Sequence, residues 1–273
     1  MPLYVVATPI GNLRDLTERA REVLAACDGV VAEDTRHSGQ LLKHLGIEKP
    51  FYSLPGFDEA ARAEAIVRRL AEGESLALVT DAGTPAVSDP GALLVRGAVE
   101  RGIAVVPVPG ASAAVAAVSV SGFAEPRFHF AGFLPRKASH REEMLHELAP
   151  LRAQLVFYES PQRLRDTLLD LRAALGDRPA LVARELTKVH EELARGTLSQ
   201  LADHFSGEVR GEVVIVVSGA EARVEEEDPA ALEEEVRRRL AQGERPKEIA
   251  EALAGAHSKR RVYQLAIKLK TES

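Results

Sequence analysis

Tryptophan is absent from the chain, cysteine and asparagine occur once each, and methionine occurs twice. One cysteine, Cys27, cannot close an internal disulfide, and no Cys-rich zinc module can be built from it. A single cysteine and no disulfide framework fit a reducing compartment, so a cytoplasmic location is expected. Asn12 is the lone asparagine, and so few heat-labile residues fit a heat-adapted source. The first residues, MPLYVVATPIGNLRD, carry no basic region ahead of a long apolar run, so no signal peptide is expected. Charge is missing between Arg101 and Glu125, long enough to raise a membrane span. Pro107, Pro109 and Gly110 interrupt it, so a β-branched strand, a turn and a buried Ala-rich helix are expected instead, and no membrane partner. No H-E-x-x-H, P-loop, nucleophile elbow or metal-ligand cluster is present, so no metal is expected.

What is there is globular: 273 residues, 45% hydrophobic and 28% charged, a length suited to about two domains. The net charge of −6 excludes a simple polycation, so any nucleic-acid contact must come from local patches.

Short apolar runs alternate with amphipathic stretches. Residues 3–8, 29–33, 51–54, 75–80 and 103–108 read as strands. Helical spacing fills the intervals, through Leu16 to Cys27, Leu41 to Leu45, 58–72, 91–102 and 111–120. The alternation predicts an α/β domain with a mostly parallel sheet over 1–122. The pattern then restarts, with strands expected at 128–133, 153–160, 179–185 and 211–219, giving a second α/β domain over 123–222. The halves show no residue-level repeat. An acidic break at 224–230 precedes a helical domain over 223–273, with helices expected at 229–242, 246–254 and 258–270. The last two, joined through Gly255, have helix-turn-helix spacing. Lys259, Arg260 and Arg261 make the final helix basic, which is either a solvated face or a nucleic-acid or partner contact.

Ligands of open α/β sheets lie beyond the carboxyl ends of strands, and four such ends here are unusual. Thr8-Pro9-Ile10-Gly11-Asn12 is a tight turn without a dinucleotide fingerprint. Glu33-Asp34-Thr35-Arg36-His37 puts ionisable groups where burial is costly, which is read either as a helix cap with a local Arg36 pair or as a site. Residues 80–91 form a long loop of small side chains that exposes backbone to a ligand. Its ionisable residues are Asp81 and Asp89, which disfavours a nucleotide phosphate and favours a neutral or cationic ligand. Val108 to Ala113 again leaves backbone bare at a helix start. In the second half, 126–141 holds Arg127, Arg136, Lys137 and Arg141 without an acid, a candidate RNA contact.

LYVVATPIGNLRDLT, VVAEDTRHSGQLL, LVTDAGTPAVSDPG, VPVPGASAAVAA, GFLPRK and VFYESPQRL follow one another over residues 3–165. Together they resemble the tetrapyrrole-methylase-type family of S-adenosylmethionine-dependent methyltransferases, in its ribosomal RNA branch. The resemblance implies two α/β domains with the cofactor, S-adenosylmethionine, in the cleft between them, and a homodimer. It implies methyl transfer to the ribose 2′-hydroxyl of a cytidine in 16S rRNA, on the RNA or the small ribosomal subunit. The alternatives are a tetrapyrrole methyltransferase and a non-catalytic RNA-binding factor. The family's Gly-Asp-Pro cofactor turn matches Gly83-Thr84-Pro85, with Thr84 in place of the acid, which argues against a porphyrinogen substrate. The cofactor-facing positions carried over are Ile10, Gly11, Gly83, Thr84, Val87, Ser112, Ala113 and Tyr158, with Asp81 beside them. A hydroxyl acceptor needs a base, and the carboxylate candidates are Asp34, then Glu33 and Glu159, with Arg36 as an orienting group.

Overall fold

The computed structural model describes residues 1–221, 229–254 and 257–272. Two compact units result, Met1–Ala220 and Glu221–Ser273.

The larger unit holds two five-stranded sheets. In the first, β1 (Leu3–Val6), β2 (Gly29–Ala32), β3 (Phe51–Ser53), β4 (Leu76–Leu78) and β5 (Val105–Val108) run parallel in the order β3-β2-β4-β1-β5. Helices cover both faces, which is why these strands read as continuous apolar runs rather than alternating ones. On one face α1 (Glu18–Ala26) and α2 (Thr35–Leu45) bury Leu24, Cys27 and Leu42 against Val30 and Val79. On the other, α3 (Glu59–Ala71) and α4 (Ala92–Glu100) bury Ile66, Leu70 and Leu94 against Leu3, Leu76 and Leu78. Neighbouring strands β1 and β4 thus feed helices on opposite faces, and a crevice opens beyond their carboxyl ends. Cys27 is 1% exposed, and burial pushes its thiol above the ordinary range.

The second sheet comprises β6 (Phe128–Phe133), β7 (Gln154–Glu159), β8 (Pro179–Arg184), β9 (Glu192–Thr197) and β10 (Val213–Val217), in the order β6-β7-β10-β8-β9. Parallel pairing dominates the two sheets taken together, but this one is mixed. β6 runs parallel to β7, and β10 and β9 pair antiparallel with their neighbours. β9 was not expected from the sequence. It is an edge strand, half-buried, and ELARGT has no apolar run to mark it. Side chains alternate across this sheet. Leu155, Phe157, Val213 and Ile215 face a core made with α6 (Ala138–Leu148), α7 (Leu164–Leu175) and α8 (Leu198–His204). Val156, Leu181, Val214 and Val216 face the opposite way. There they meet Ala114 and Ala117 of α5 (Ala113–Ser119), so this small-residue helix packs on the second sheet although it follows a strand of the first. The uncharged stretch after Arg101 is therefore β5, a turn and α5, and among the described residues no helix is long and apolar enough to cross a membrane.

In the smaller unit, α9 (Pro229–Ala241), α10 (Pro246–Ala252) and α11 (Lys259–Glu272) enclose a core of Leu232, Val236, Ile249, Val262, Ala266 and Leu269. The expected break at 224–230 falls largely outside the described residues, as do the boundary at 222/223 and the Gly255 turn. Lys259 pairs with Glu251 at 3.2 Å, and Arg260 and Arg261 are exposed.

Candidate active site

The ends of β1 and β4 are tied together by a two-way backbone bridge. Thr8 N–H donates to Gly83 O at 2.8 Å and Gly83 N–H returns to Thr8 O at 3.1 Å. Beyond it the 80–91 loop is strained. Gly83 takes φ +89°, Ala86 and Ser88 hold φ near +64° and +66°, and Gly91 takes +128°. Left-handed backbone costs an alanine or serine about 1 kcal/mol or more, and such cost concentrates at functional sites. Across from it, Glu185 and Thr187 adopt φ +52° and +65° in the loop that joins β8 to β9.

Between these loops lies a cavity of about 380 Å³. The first sheet supplies Ile10, Asp81, Gly83 and Asp89, α5 supplies Ala113, and the second sheet supplies Phe133 and Tyr158. Tyr158 packs edge-on to Phe130 and Phe133, with ring centres 4.9 and 5.7 Å away. Burial raises its hydroxyl pKa, against the backbone of Ala114 and with the charge of Asp89. A second cavity of about 360 Å³ adjoins the first, and Ile10, Asp81, Ala82 and Glu212 line both.

The sequence-derived cofactor positions divide. Ile10, Asp81, Gly83, Ala113 and Tyr158 meet in the first cavity. Gly11 lines the second, and a Cβ there would lie 2.8 Å from Leu186 O and 2.9 Å from Thr187 Oγ1. Its small size serves the approach of these two loops. Thr84 donates its hydroxyl to Ala111 O at 3.3 Å, and Ser112 caps α5 by accepting Val115 N–H at 3.5 Å. Val87 is exposed.

The candidate bases divide as well. Asp34 is the N-cap of α2, accepting the amides of Arg36 at 2.8 Å and His37 at 3.4 Å. Arg36 is itself an exposed side chain folded onto that carboxylate, and it holds Asp34 below the usual range. Glu159 has a fully buried side chain whose oxygens accept Ser160 N–H and Thr167 Oγ1–H, each at 2.7 Å, with Arg163 at 3.5 Å. These donors use its lone pairs to anchor the start of α7. Glu33 is half-buried. Burial raises its pKa most, followed by the charges of Asp89, Asp81 and Asp34. Asp89 is raised too, by burial first, opposed by the Thr80 hydroxyl, then by Asp81. The β2 and β4 ends together make an acidic wall, suited to a cation. Asp81 Oδ1 is buried without a hydrogen-bond partner, whereas Glu212, the other carboxylate shared by the cavities, is paired with Lys188 at 2.9 Å.

Sequence reasoning gave no site role to the side chains of Ser38, Phe133 and Glu212, and marked Thr80 only as the start of the 80–91 loop; the chain's folding brings all four to the cavities. The basic loop is split by the structure. Arg136 and Lys137 are exposed, whereas Arg141 bonds Asp170 at 2.6 Å and the carbonyls of Pro135 and Arg136 at 3.1 Å. Among the described residues no group of three acidic, His or Cys side chains could hold a metal.

Solved structures share this two-sheet arrangement. Uroporphyrin-III C-methyl transferase from Thermus thermophilus, complexed with S-adenosyl homocysteine, superposes with a TM-score of 0.60 at 18% identity, covering 80% of this chain and 97% of its own. Diphthine synthase gives 0.60 at 14% identity, covering 80% and 90%. At such identities the likeness shows the fold alone, two α/β sheets with their covering helices. The model of the Tetrapyrrole (Corrin/Porphyrin) Methylases matches residues 2–202. The chain is 51% identical to ribosomal RNA small subunit methyltransferase I of Xylella fastidiosa strain Temecula1 over 80% of this chain and 81% of that protein. The Synechocystis protein of the same name is 42% identical over 99% of both. The chain belongs to the tetrapyrrole methylase family, in the branch of ribosomal RNA small subunit methyltransferase I.

Proposed function

We propose that this protein transfers a methyl group from S-adenosylmethionine to the ribose 2′-hydroxyl of a cytidine in 16S rRNA of the small ribosomal subunit. The observation that carries the chemistry is Asp81, which lines both adjoining cavities and has one carboxylate oxygen, Oδ1, buried without a hydrogen-bond partner. The branch membership carries the substrate.

The first cavity suits the cofactor. Phe133 and Tyr158 line it with aromatic rings that suit a flat base, and Gly83 leaves room for close backbone approach, with Ile10 Cγ2 3.5 Å from where a Cβ would stand. Asp81 and Asp89, with Glu33 beside them, offer negative charge to a sulfonium. When bound, the cofactor supplies a methyl already activated for displacement. The chain's own work is then positioning, water exclusion and proton acceptance. Ile10, Ala113 and Tyr158 exclude water. Asp81 Oδ1 takes the acceptor hydroxyl's proton as the oxygen attacks. Asp34 and Glu159 hold the helices that begin beside the site.

RNA approaches over Arg136 and Lys137 of the larger unit, and over Lys259, Arg260 and Arg261 of the smaller one. The same reading takes the enzyme as a cytoplasmic homodimer. The deciding experiment incubates the protein with labelled S-adenosylmethionine and separated ribosomal particles, then maps the label. A 2′-O-methylcytidine in 16S rRNA is expected, and label confined to a tetrapyrrole or absent from RNA overturns the assignment.

A further inference from the structure

The second cavity holds features that a cofactor in the first does not use. Its wall is one stripe of α2, where His37, Gln40, Leu41 and His44 recur at helical spacing, and it reaches Thr80 at the end of β4. Ser38 and Thr80 line it and are each 2% exposed; the Ser38 hydroxyl has no hydrogen-bond partner, and the Thr80 hydroxyl acts on the Asp89 carboxyl. A hydroxyl buried without a partner loses its bonds to water and gains none in return. A helical serine ordinarily avoids that cost by donating to the carbonyl four residues back. Ser38 does not, although its backbone N–H bonds Asp34 O at 3.1 Å. The unsatisfied Ser38 hydroxyl in this cavity's lining points to a polar ligand that completes it, with Thr80 in the same lining. At about 360 Å³ the cavity is in the range of small-molecule sites. It meets the first cavity at Ile10, Asp81 and Ala82, so a sugar held in it lies beside Asp81.

We propose that this cavity seats the acceptor nucleoside, turned out of its RNA strand, with the Ser38 and Thr80 hydroxyls as specificity-determining partners. The proposal rests on the 2′-O-methylation reading and deepens it. A hydroxyl both donates and accepts, so a small χ1 rotation lets the pair match a base edge carrying one donor and one acceptor. Extruding a nucleotide gives up stacking and pairing, which interactions in such a pocket offset. His37 and His44, exposed along the same helix, stand where the flanking phosphates pass.

The test uses the full chain and three variants. Ser38→Ala and Thr80→Val delete a hydroxyl with little change of shape, and Ser38→Leu fills the cavity. Cofactor affinity, measured by calorimetry, reports that each variant is folded and is expected within about twofold of wild type. Titration with cytidine 5′-monophosphate is expected to move the His37 and His44 ring resonances of the wild type but not of Ser38→Leu. Single-turnover methylation of small ribosomal particles is expected to fall about tenfold or more in each hydroxyl variant, since a site built to hydrogen-bond discriminates strongly when a partner is missing. Resonances that stay still in the wild type, or that move equally in Ser38→Leu, overturn the proposal. Hydroxyl variants turning over within twofold of wild type overturn it too. A wild type that labels no RNA sinks the methylation reading instead, and the resonance titration then decides the cavity by itself.

Discussion

The Asp34 carboxylate accepts the backbone N–H of Arg36 at 2.8 Å while the Arg36 guanidinium lies 3.2 Å from its other oxygen. Both lone-pair directions nearest the helix are thereby engaged. Asn caps a helix about as well as Asp. Asp34→Asn is therefore expected to turn over within about twofold of wild type in a single-turnover methylation assay. Asp34→Ala should lower stability by about 1 kcal/mol in a denaturant titration, because the cap goes with the carboxylate.

Asp81 is expected to behave differently. It lines both cavities, and its Oδ1 is buried without a hydrogen-bond partner. Asp81→Asn keeps the shape and removes the proton acceptor. With cofactor saturating, the single-turnover rate should drop by about a hundredfold or more, the range typical of a general base. A normal rate in Asp81→Asn together with an abolished rate in Glu33→Gln would move the role to Glu33.

Gly11 has no room for a methyl group. A Cβ would meet Lys188 Cγ at 2.5 Å and the Leu186 carbonyl at 2.8 Å. The side chain can swing away, but the carbonyl belongs to backbone. Gly11→Ala should cost about 1–3 kcal/mol, the range for overpacking, and should appear as a lowered thermal midpoint.

Glu33 sets a pH dependence. Its carboxyl is raised in the fold, by burial and by Asp89, Asp81 and Asp34. The protonated form is favoured in the native state, so ionisation destabilises the fold at pH values above the raised value. Glu33→Gln should raise the thermal midpoint at pH 7. The gain should shrink as pH falls through the raised value and vanish below the ordinary carboxylate range. A gain that grows on acidification would contradict this sign.

The two parts of the basic loop separate by salt. Arg136 and Lys137 are exposed. Reversing both to Glu should flatten the dependence of RNA affinity on log salt by about 0.7–0.9 for each phosphate no longer neutralised. Arg141 is bonded to Asp170 and to two carbonyls, so Arg141→Ala should leave that slope alone and lower stability.

Strand positions in the larger unit were legible because buried parallel strands are uninterrupted apolar runs, as in Leu3–Val6, and the central Val213–Val217 reads the same way. Glu192–Thr197 was not, because an edge strand is held by its ladder and not by apolar side chains. The cofactor positions were legible as loops. What each residue does there was not, because Thr84 and Ser112 spend their hydroxyls on Ala111 O and Val115 N–H, bonds fixed only in three dimensions. Glu159 ends an apolar strand and read as a catalytic candidate. Its partners Thr167 and Arg163 sit on the next helical stretch, and no local pattern signals that they turn back to it. Ser38 is one more polar residue on an amphipathic helix until α2 is docked beside Thr80.

Cys27 lies between α1 and the first sheet, 1% exposed, with a thiol that burial keeps protonated. Thiolate is the reactive form, so the native chain is nearly inert to maleimides. It is a ready background for site-specific spectroscopy, since a cysteine introduced on the surface would be the one thiol that takes a label. Distances between the two compact units, with and without RNA, can thus be read from labelled pairs without first removing a native residue. Reactivity of Cys27 itself then reports opening of the α1 face, a built-in gauge of local unfolding.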